Sequence, residues 1–257
     1  MDLTWLDSNS WLWQIDGTRI LVDPWLVGPL MFGQTPWFFK AQRPYDRPIP
    51  ENIDLILLSQ GLPDHTHPPT LSQCDRQIPV IGSVAAADIA RSLGFSQVTA
   101  LKPGENHTWN NINIQATLGS PVGPNRYENG YLLQGLTSKT TLYYEPHGYH
   151  DPQLQSPTTV DVVITPLVSI TLPLLGAIIQ GGVAALNLAQ RLTPTYMIPT
   201  AGAGELEFSG WLTRLFQADG DLDQFQEQLQ IAGLDTQVLQ LNPWESRSLD
   251  PTPLRQP

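Results

Sequence analysis

Asp64, His65 and His67 lie within four consecutive positions of the stretch LILLSQGLPDHTHPP, directly after the apolar run Leu55 to Leu58. A second group, Glu145, His147, His150 and Asp151, follows the run TTLYY. Imidazole nitrogens and carboxylate oxygens are the donors that hold zinc, iron or manganese, and the same groups act as general acids and bases near neutral pH. Four of the five histidines fall in these two groups, each beside a carboxylate, so a fold that joins the two loops would build one centre. One arrangement is a rearranged mononuclear centre of Asp64, His65 and His147, with Glu145 as a further donor. A second is metal-free: Asp64 and His65 orient a water and His147 takes its proton. A third is a hydrogen-bonded cluster with no chemistry, since His–carboxylate contacts are common in folded proteins.

Other chemistries find little support. The single Cys74 excludes an intramolecular disulfide and any cysteine-rich zinc module, and no G-x-S-x-G elbow is present. GELEFSG and ATLGSPVGP lack the spacing of a phosphate-cradling loop and read as turns. Arg126, in GPNRYENG, is a cation placed to meet an anionic ligand or simply an exposed loop arginine. His107, in the polar turn GENHTWNN, reads as exposed. The formal net charge is −11, with only three lysines, which argues against nucleic-acid binding because no basic patch is available to displace phosphate counterions.

The elements that must position these groups follow from hydrophobic period. LTWLDSNSWLWQIDGTRILVDP alternates around Asp16-Gly17, a strong hairpin signal. From Trp25 to Pro50 the chain is broken by Pro and Gly and reads as a long loop. Its aromatics, Trp37 among them, cover either the core or a ligand pocket. IDLILLS and IPVIGS read as strands and VAAADIARSLGF as a helix, capped by Ser83 and closed by Gly94. QVTAL, NINIQAT, YLLQG, TLYYEP, VDVVITP, YMIPT and TQVLQLN read as further strands, and GGVAALNLAQRL and DLDQFQEQLQIAGL as helices. Strand-rich halves, each followed by helices, imply two packed sheets with helices outside. One domain is expected over residues 1–243, with a mobile Pro-rich tail over 244–257.

No basic leader is visible after Met1, and a lone thiol suits a reducing compartment, so a cytoplasmic location is expected. No charged residue stands between Asp161 and Arg191, but prolines and polar residues interrupt that segment. It is expected to form an apolar surface or pocket wall rather than a membrane span. Peripheral attachment to a membrane surface through it is a third-ranked reading.

Several blocks, in order, resemble the metallo-β-lactamase-fold proteins of the UlaG-like branch. LTWLDSNSWLWQIDGTRILVDP resembles the opening hairpin with its I-D-P ending, and LILLSQGLPDHTHPPTL resembles the strand and loop S-H-x-H-x-D-H. TTLYYEPHGYH sits where Y-x-G-D-T-G-Y-H would be, and YMIPTAGAG where M-I-P-I-H-W-G would be. A branch found in cyanobacteria and plant plastids is closer still, carrying SQGL-x-DH-x-H, a segment like ENGYLL, and YYEPH. The resemblance implies an α+β fold: a four-layer αβ/βα sandwich of two mixed sheets packed face to face. It also implies hydrolase ancestry.

Carried over residue by residue, the family's two-metal site is depleted. The first two histidine positions hold Gln60 and Leu62. The bridging aspartate falls on Pro146 beside Glu145, and the last histidine falls near Ala201. Only Asp64 and His65 persist. A hydrolase-like protein with at most one metal ion (zinc, iron or manganese) is therefore implied, held by Asp64, His65 and His147, which are also the catalytic candidates. Substrate contacts are expected from Gln60, Arg126, Asn129, Glu145 and Trp37, and the substrate as an apolar ester, amide or phosphodiester. The alternative is a non-catalytic binding or regulatory protein that keeps the fold for a hydrophobic small molecule.

Overall fold

At Asp16-Gly17 the chain reverses with φ of 47° and 80°, the left-handed pair that a two-residue hairpin turn requires. The turn joins Trp11–Ile15 to Thr18–Val22, with Ile15 opposite Thr18 and Trp11 opposite Val22. The structure is a computed structural model describing residues 1–31, 35–122, 126–154, 160–173, 176–202 and 204–250.

Around this hairpin a seven-stranded sheet runs in the spatial order Ser246–Ser248, Asp2–Trp5, Trp11–Ile15, Thr18–Val22, Leu55–Leu58, Val80–Gly82, Val98–Ala100. Pairing is antiparallel up to Thr18–Val22 and parallel from there on. The second seven-stranded sheet repeats that plan. Asn106–Trp109, Ile112–Pro121, Tyr127–Gly135 and Thr141–Tyr144 pair antiparallel, and Val162–Ile164, Tyr196–Ile198 and Gln237–Val238 continue in parallel.

Leu55–Leu58 is apolar at every position because both its faces are covered. Leu55 and Leu57 enter the core between the sheets with Trp13, Ile114, Leu133 and Tyr144. Ile56 and Leu58 pack outward with Ala86 and Ala90 of the helix Val84–Ser92. On the other sheet Val163 packs outward against Leu188 of Val183–Leu192 and Phe225 and Leu229 of Leu222–Ile231. This is the four-layer sandwich, and each such buried aliphatic side chain contributes about 2 kcal/mol. Ser83 accepts from the Ala86 amide as the expected helix cap, and Gly94 takes φ of 90° after the helix.

Several elements depart from the sequence reading. The long loop after Asp23-Pro24 contains the short strands Leu30–Met31 and Lys40–Gln42. They join Glu207–Ser209, a stretch read as a turn, in a three-stranded sheet. GENHTWNN is an edge strand, Asn106–Trp109, with the reversal confined to Asn110-Asn111, where Asn110 takes φ of 48°. Between the strand Val162–Ile164 and the helix Val183–Leu192, both expected from sequence, the chain forms the hairpin Ser169–Leu172 with Gly176–Ile179, which was not. Among the described residues no helix is long and apolar enough to cross a membrane. The sheet also extends past residue 243. Ser246–Ser248 covers the free edge of Asp2–Trp5, and Leu249 is buried. Residues 251–257 lie outside the described residues.

Candidate metal centre

The parallel strand Leu55–Leu58 and the strand Thr141–Tyr144 end at the same rim of the sandwich, one from each sheet. Asp64 and His65 follow the first and His147 follows the second. Among the described residues these three form a group whose donor atoms all lie within 4.8 Å of one another. His65 Nε2 is 3.3 Å from His147 Nε2 and 3.3 Å from Asp64 Oδ2.

The loop that carries Asp64 and His65 is wound on itself. The His65 and Thr66 amides donate to the Leu62 carbonyl, and Thr66 Oγ1 donates to the Gln60 carbonyl. Gly61 packs so closely on Ala85 that an added Cβ would lie 2.7 Å from the Ala85 Cβ.

Asp23 fixes the His65 ring. It ends the strand Thr18–Val22 with φ of 42°, and its Oδ2 lies 2.7 Å from His65 Nδ1. The same carboxylate accepts from the Ser59 amide at 2.7 Å, Ser59 Oγ at 2.5 Å and Tyr144 Oη at 2.8 Å. Tyr144 is held in turn edge-on against Trp13 in the inter-sheet core. Asp23 is the residue that motif reading passed over; its only signal was the Asp-Pro ending of a strand.

His147 is held from three directions. Its carbonyl accepts from the Gln180 amide at 2.8 Å. Glu145 Oε2 accepts from the His147 and Tyr149 amides, folding the loop around a carboxylate. On the ring, Nδ1 lies 2.8 Å from Gln60 Nε2 and 3.2 Å from Ser120 Oγ. Either end of the Gln60 carboxamide fits there. With its carbonyl turned toward Nδ1 it accepts Nδ1–H, which leaves Nε2 unprotonated and free to act as a donor. Ser120, beside an irregularity in the Ile112–Pro121 pairing, was not a sequence candidate because nothing in ATLGSPVGP marks that bulge.

Burial opposes charge throughout this site, and specific neighbours decide where charge stays. For His65, burial is outweighed by the Asp64 and Asp23 carboxylates, and its pKa rises to about 10. Burial also opposes the ionised Asp64, but His65 beside it lowers its pKa to about 2. Burial and the His65 cation push His147 down to about 3, so it is neutral. Burial raises Glu145 to about 7 despite its amide donors.

Two of the three donor pairs, both involving His65 Nε2, have the spacing of one metal ion. Donors ~2.0–2.1 Å from a tetrahedral zinc lie roughly 3.3–3.4 Å from each other, which matches both 3.3 Å separations. Asp64 Oδ1 is buried with no hydrogen-bond partner, an orphan that a cation would satisfy. Asp23 behind His65 supplies the carboxylate that commonly orients a metal-bound imidazole. Two imidazoles and a carboxylate leave a position open, as catalytic zinc and iron centres do.

The other sequence candidates sit elsewhere. Glu145 turns back on its own loop and is not one of the three clustered donors. Asn129 is buried structurally, its Nδ2 donating to the Leu101 carbonyl at 2.9 Å and its amide to the Ser59 carbonyl. Arg126 is exposed, and Trp37 is 70% exposed. Neither is among the described residues that line the adjoining cavity, whereas Gln60 and Leu62 are. His67 caps the turn Pro68–Leu71 through Thr70, and His150 bonds Thr165 Oγ1.

That cavity has a volume of about 900 Å³ and opens on Asp64 and His147. Trp5, Trp11 and Trp25, the hairpin carrying Ile170 and Ile178, and Phe39, Phe208 and Phe216 are among the residues that line it.

A family model described as the Beta-lactamase superfamily domain matches residues 2–201. Among solved structures, the chain is similar to a possible metal-dependent hydrolase from Veillonella parvula DSM 2008, at 14% identity, TM-score 0.68, covering 97% of this chain and 99% of that one. It is similar to the isothiocyanate hydrolase from Delia radicum gut bacteria at 17% identity and TM-score 0.65, covering 96% and 99%. The diiron β-hydroxylase CmlA from Streptomyces venezuelae aligns at 19% identity and TM-score 0.66, covering 96% of this chain and 53% of that one. Comparison with curated protein sequences finds no match.

Proposed function

Because the chain belongs to the beta-lactamase superfamily, we propose that it is a hydrolase built on a single metal ion held by Asp64, His65 and His147. The observation that carries this reading is the convergence of three donor atoms within 4.8 Å, with His65 Nε2 3.3 Å from each of the other two and Asp23 behind its ring. A possible metal-dependent hydrolase and an isothiocyanate hydrolase that share the fold are consistent with this reaction class. A two-metal centre is not proposed: Leu62 offers no donor, and Gln60 is committed to His147 and Ser120.

When bound, such an ion supplies Lewis acidity and a water acidified toward neutral pH. The protein's own groups do the rest. Asp23 accepts Nδ1–H of His65 and so presents Nε2 to the site. Ser120 Oγ, 3.2 Å from His147 Nδ1, can do the same for His147, joined by the Gln60 carbonyl when that carboxamide is turned toward Nδ1. Glu145 and Gln180 keep the 145–149 loop at the rim, and the apolar wall keeps bulk water from the reacting group.

Metal analysis of protein purified without chelator tests the proposal. About one zinc, iron or manganese ion per chain is expected, lost in His147→Ala and Asp64→Ala with the fold retained. Protein that stays metal-free after dialysis against each ion would refute it.

A further inference from the structure

The charge on the cavity wall is as informative as its shape. Among the described lining residues there is no lysine or arginine, and Asp64 is the one carboxylate. The internal segments outside the described residues, 32–34, 123–125, 155–159, 174–175 and 203, contain no charged residue in sequence. Arg43, a buried guanidinium, does not line the cavity. It sits 4.8 Å from the Trp25 ring centroid and 4.0 Å from Asp7 Oδ2. The remaining polar wall is neutral, with Ser8, Asn9, Thr200 and Gln240 joining Gln60 and Ser120.

An anionic group bound away from the reacting bond would lose its hydration and meet no counterion, and burying an unpaired charge is strongly unfavourable. A neutral chain would instead cover aliphatic and aromatic wall and gain from leaving water. The volume, about 900 Å³, lies toward the large end of small-molecule sites, so the wall has room for an extended chain beyond the reacting group.

We infer that the cavity takes a neutral, predominantly apolar amide or ester. Its hydrolysable group lies at Asp64 and His147, and its alkyl or aryl chain runs along the wall formed by Ile170, Ile178 and Phe216. The assignment of a hydrolysable group rests on the proposed function; the selection for a neutral apolar body rests on the wall alone. Substrates with a remote carboxylate are disfavoured by the same wall.

Quenching of tryptophan fluorescence reads binding directly, since Trp5, Trp11 and Trp25 line the cavity. The probes are hexanamide, octanamide and decanamide, and decanamide bearing a carboxylate at its far end. Titrations are run on the protein as purified and after chelator treatment. Each added methylene is expected to tighten binding about three- to fourfold, and the ω-carboxylate to bind at least tenfold more weakly than decanamide. Ile178→Lys, at a lining residue with partial exposure, is expected to reverse that preference by adding a cation to the wall. Equal or tighter binding of the ω-carboxylate to the unaltered protein, or no binding of decanamide, overturns the inference. Length-dependent binding by a protein that never holds metal would leave the inference standing while the metal-hydrolase reading fails. Metal-loaded protein that ignores decanamide would overturn the inference and leave the metal centre standing.

Discussion

His65 Nδ1 lies 2.7 Å from Asp23 Oδ2, and 42 positions of sequence separate the two residues. The contact decides which edge of the imidazole faces the site. With Nδ1 turned to Asp23, only Nε2 points at Asp64 and His147. The carboxylate stays in place because Ser59 and Tyr144 donate to it as well, and both are buried around it.

Asp23→Asn keeps the shape but puts an amide donor among groups that already donate. Metal affinity is expected to fall about 10- to 100-fold, the usual cost of losing an orienting partner. Competition against a chromophoric chelator measures it, and the direct ligands stay untouched. Affinity equal to the unaltered protein would remove Asp23 from any role in the centre.

Gln60 separates a positioning role from a packing role. Gln60→Leu removes the polar contacts to His147 Nδ1 and Ser120, and metal affinity is expected to drop about tenfold. Gln60→Glu keeps an acceptor against Nδ1–H and is expected to hold metal at least as tightly as the unaltered protein. If both variants weaken binding to the same degree, Gln60 serves only as filler.

Gly148 has no room for a side chain. A Cβ there would lie 1.7 Å from the Gln180 carbonyl oxygen, and the residue takes φ of 81°. Gly148→Ala is expected to cost about 2 kcal/mol or more in urea unfolding and to reduce metal retention, because the next residue back is His147. Full stability would show that the Gln180 strand end moves freely.

Acid should destabilise the protein through His150. Burial, helped by the Arg191 cation, lowers its pKa to about 3 from an ordinary value near 6.5. Between those values the unfolded chain binds a proton that the folded one does not. Stability is therefore full above about pH 6.5 and declines as pH falls toward 3. His150→Gln is expected to flatten the loss between pH 6.5 and 4 in thermal melts. An unchanged slope would assign the acid sensitivity to other groups.

Much of the scaffold was readable residue by residue. Asp16-Gly17, Ser83 and Gly94 each perform the local task that their chemistry suggests. The grouping of Asp64, His65 and His147 was also legible, since the two loops that carry them were expected to meet at one edge. The groups that aim them were not. Asp23 and Ser120 carry no motif of their own and gain a role only when the two sheets dock. Gln60 looked like a lost ligand, yet it stands behind His147, a member of the clustered group. Glu145 looked like a donor, yet its carboxylate is spent on the amides of its own loop. Trp37 shares a loop with Phe39, but strand pairing over Lys40–Gln42 leaves Phe39 at the cavity and Trp37 in solvent.

The two sheets share one plan, an antiparallel half followed by a parallel half, and each delivers part of the donor set. Asp64 and His65 hang from one, His147 from the other. Neither half alone carries all three groups, so under the proposed function an ion would act as a clasp that closes only on the assembled sandwich. Release of the ion should then loosen the seam before either half, with amide exchange rising first at Ser59 and Glu145.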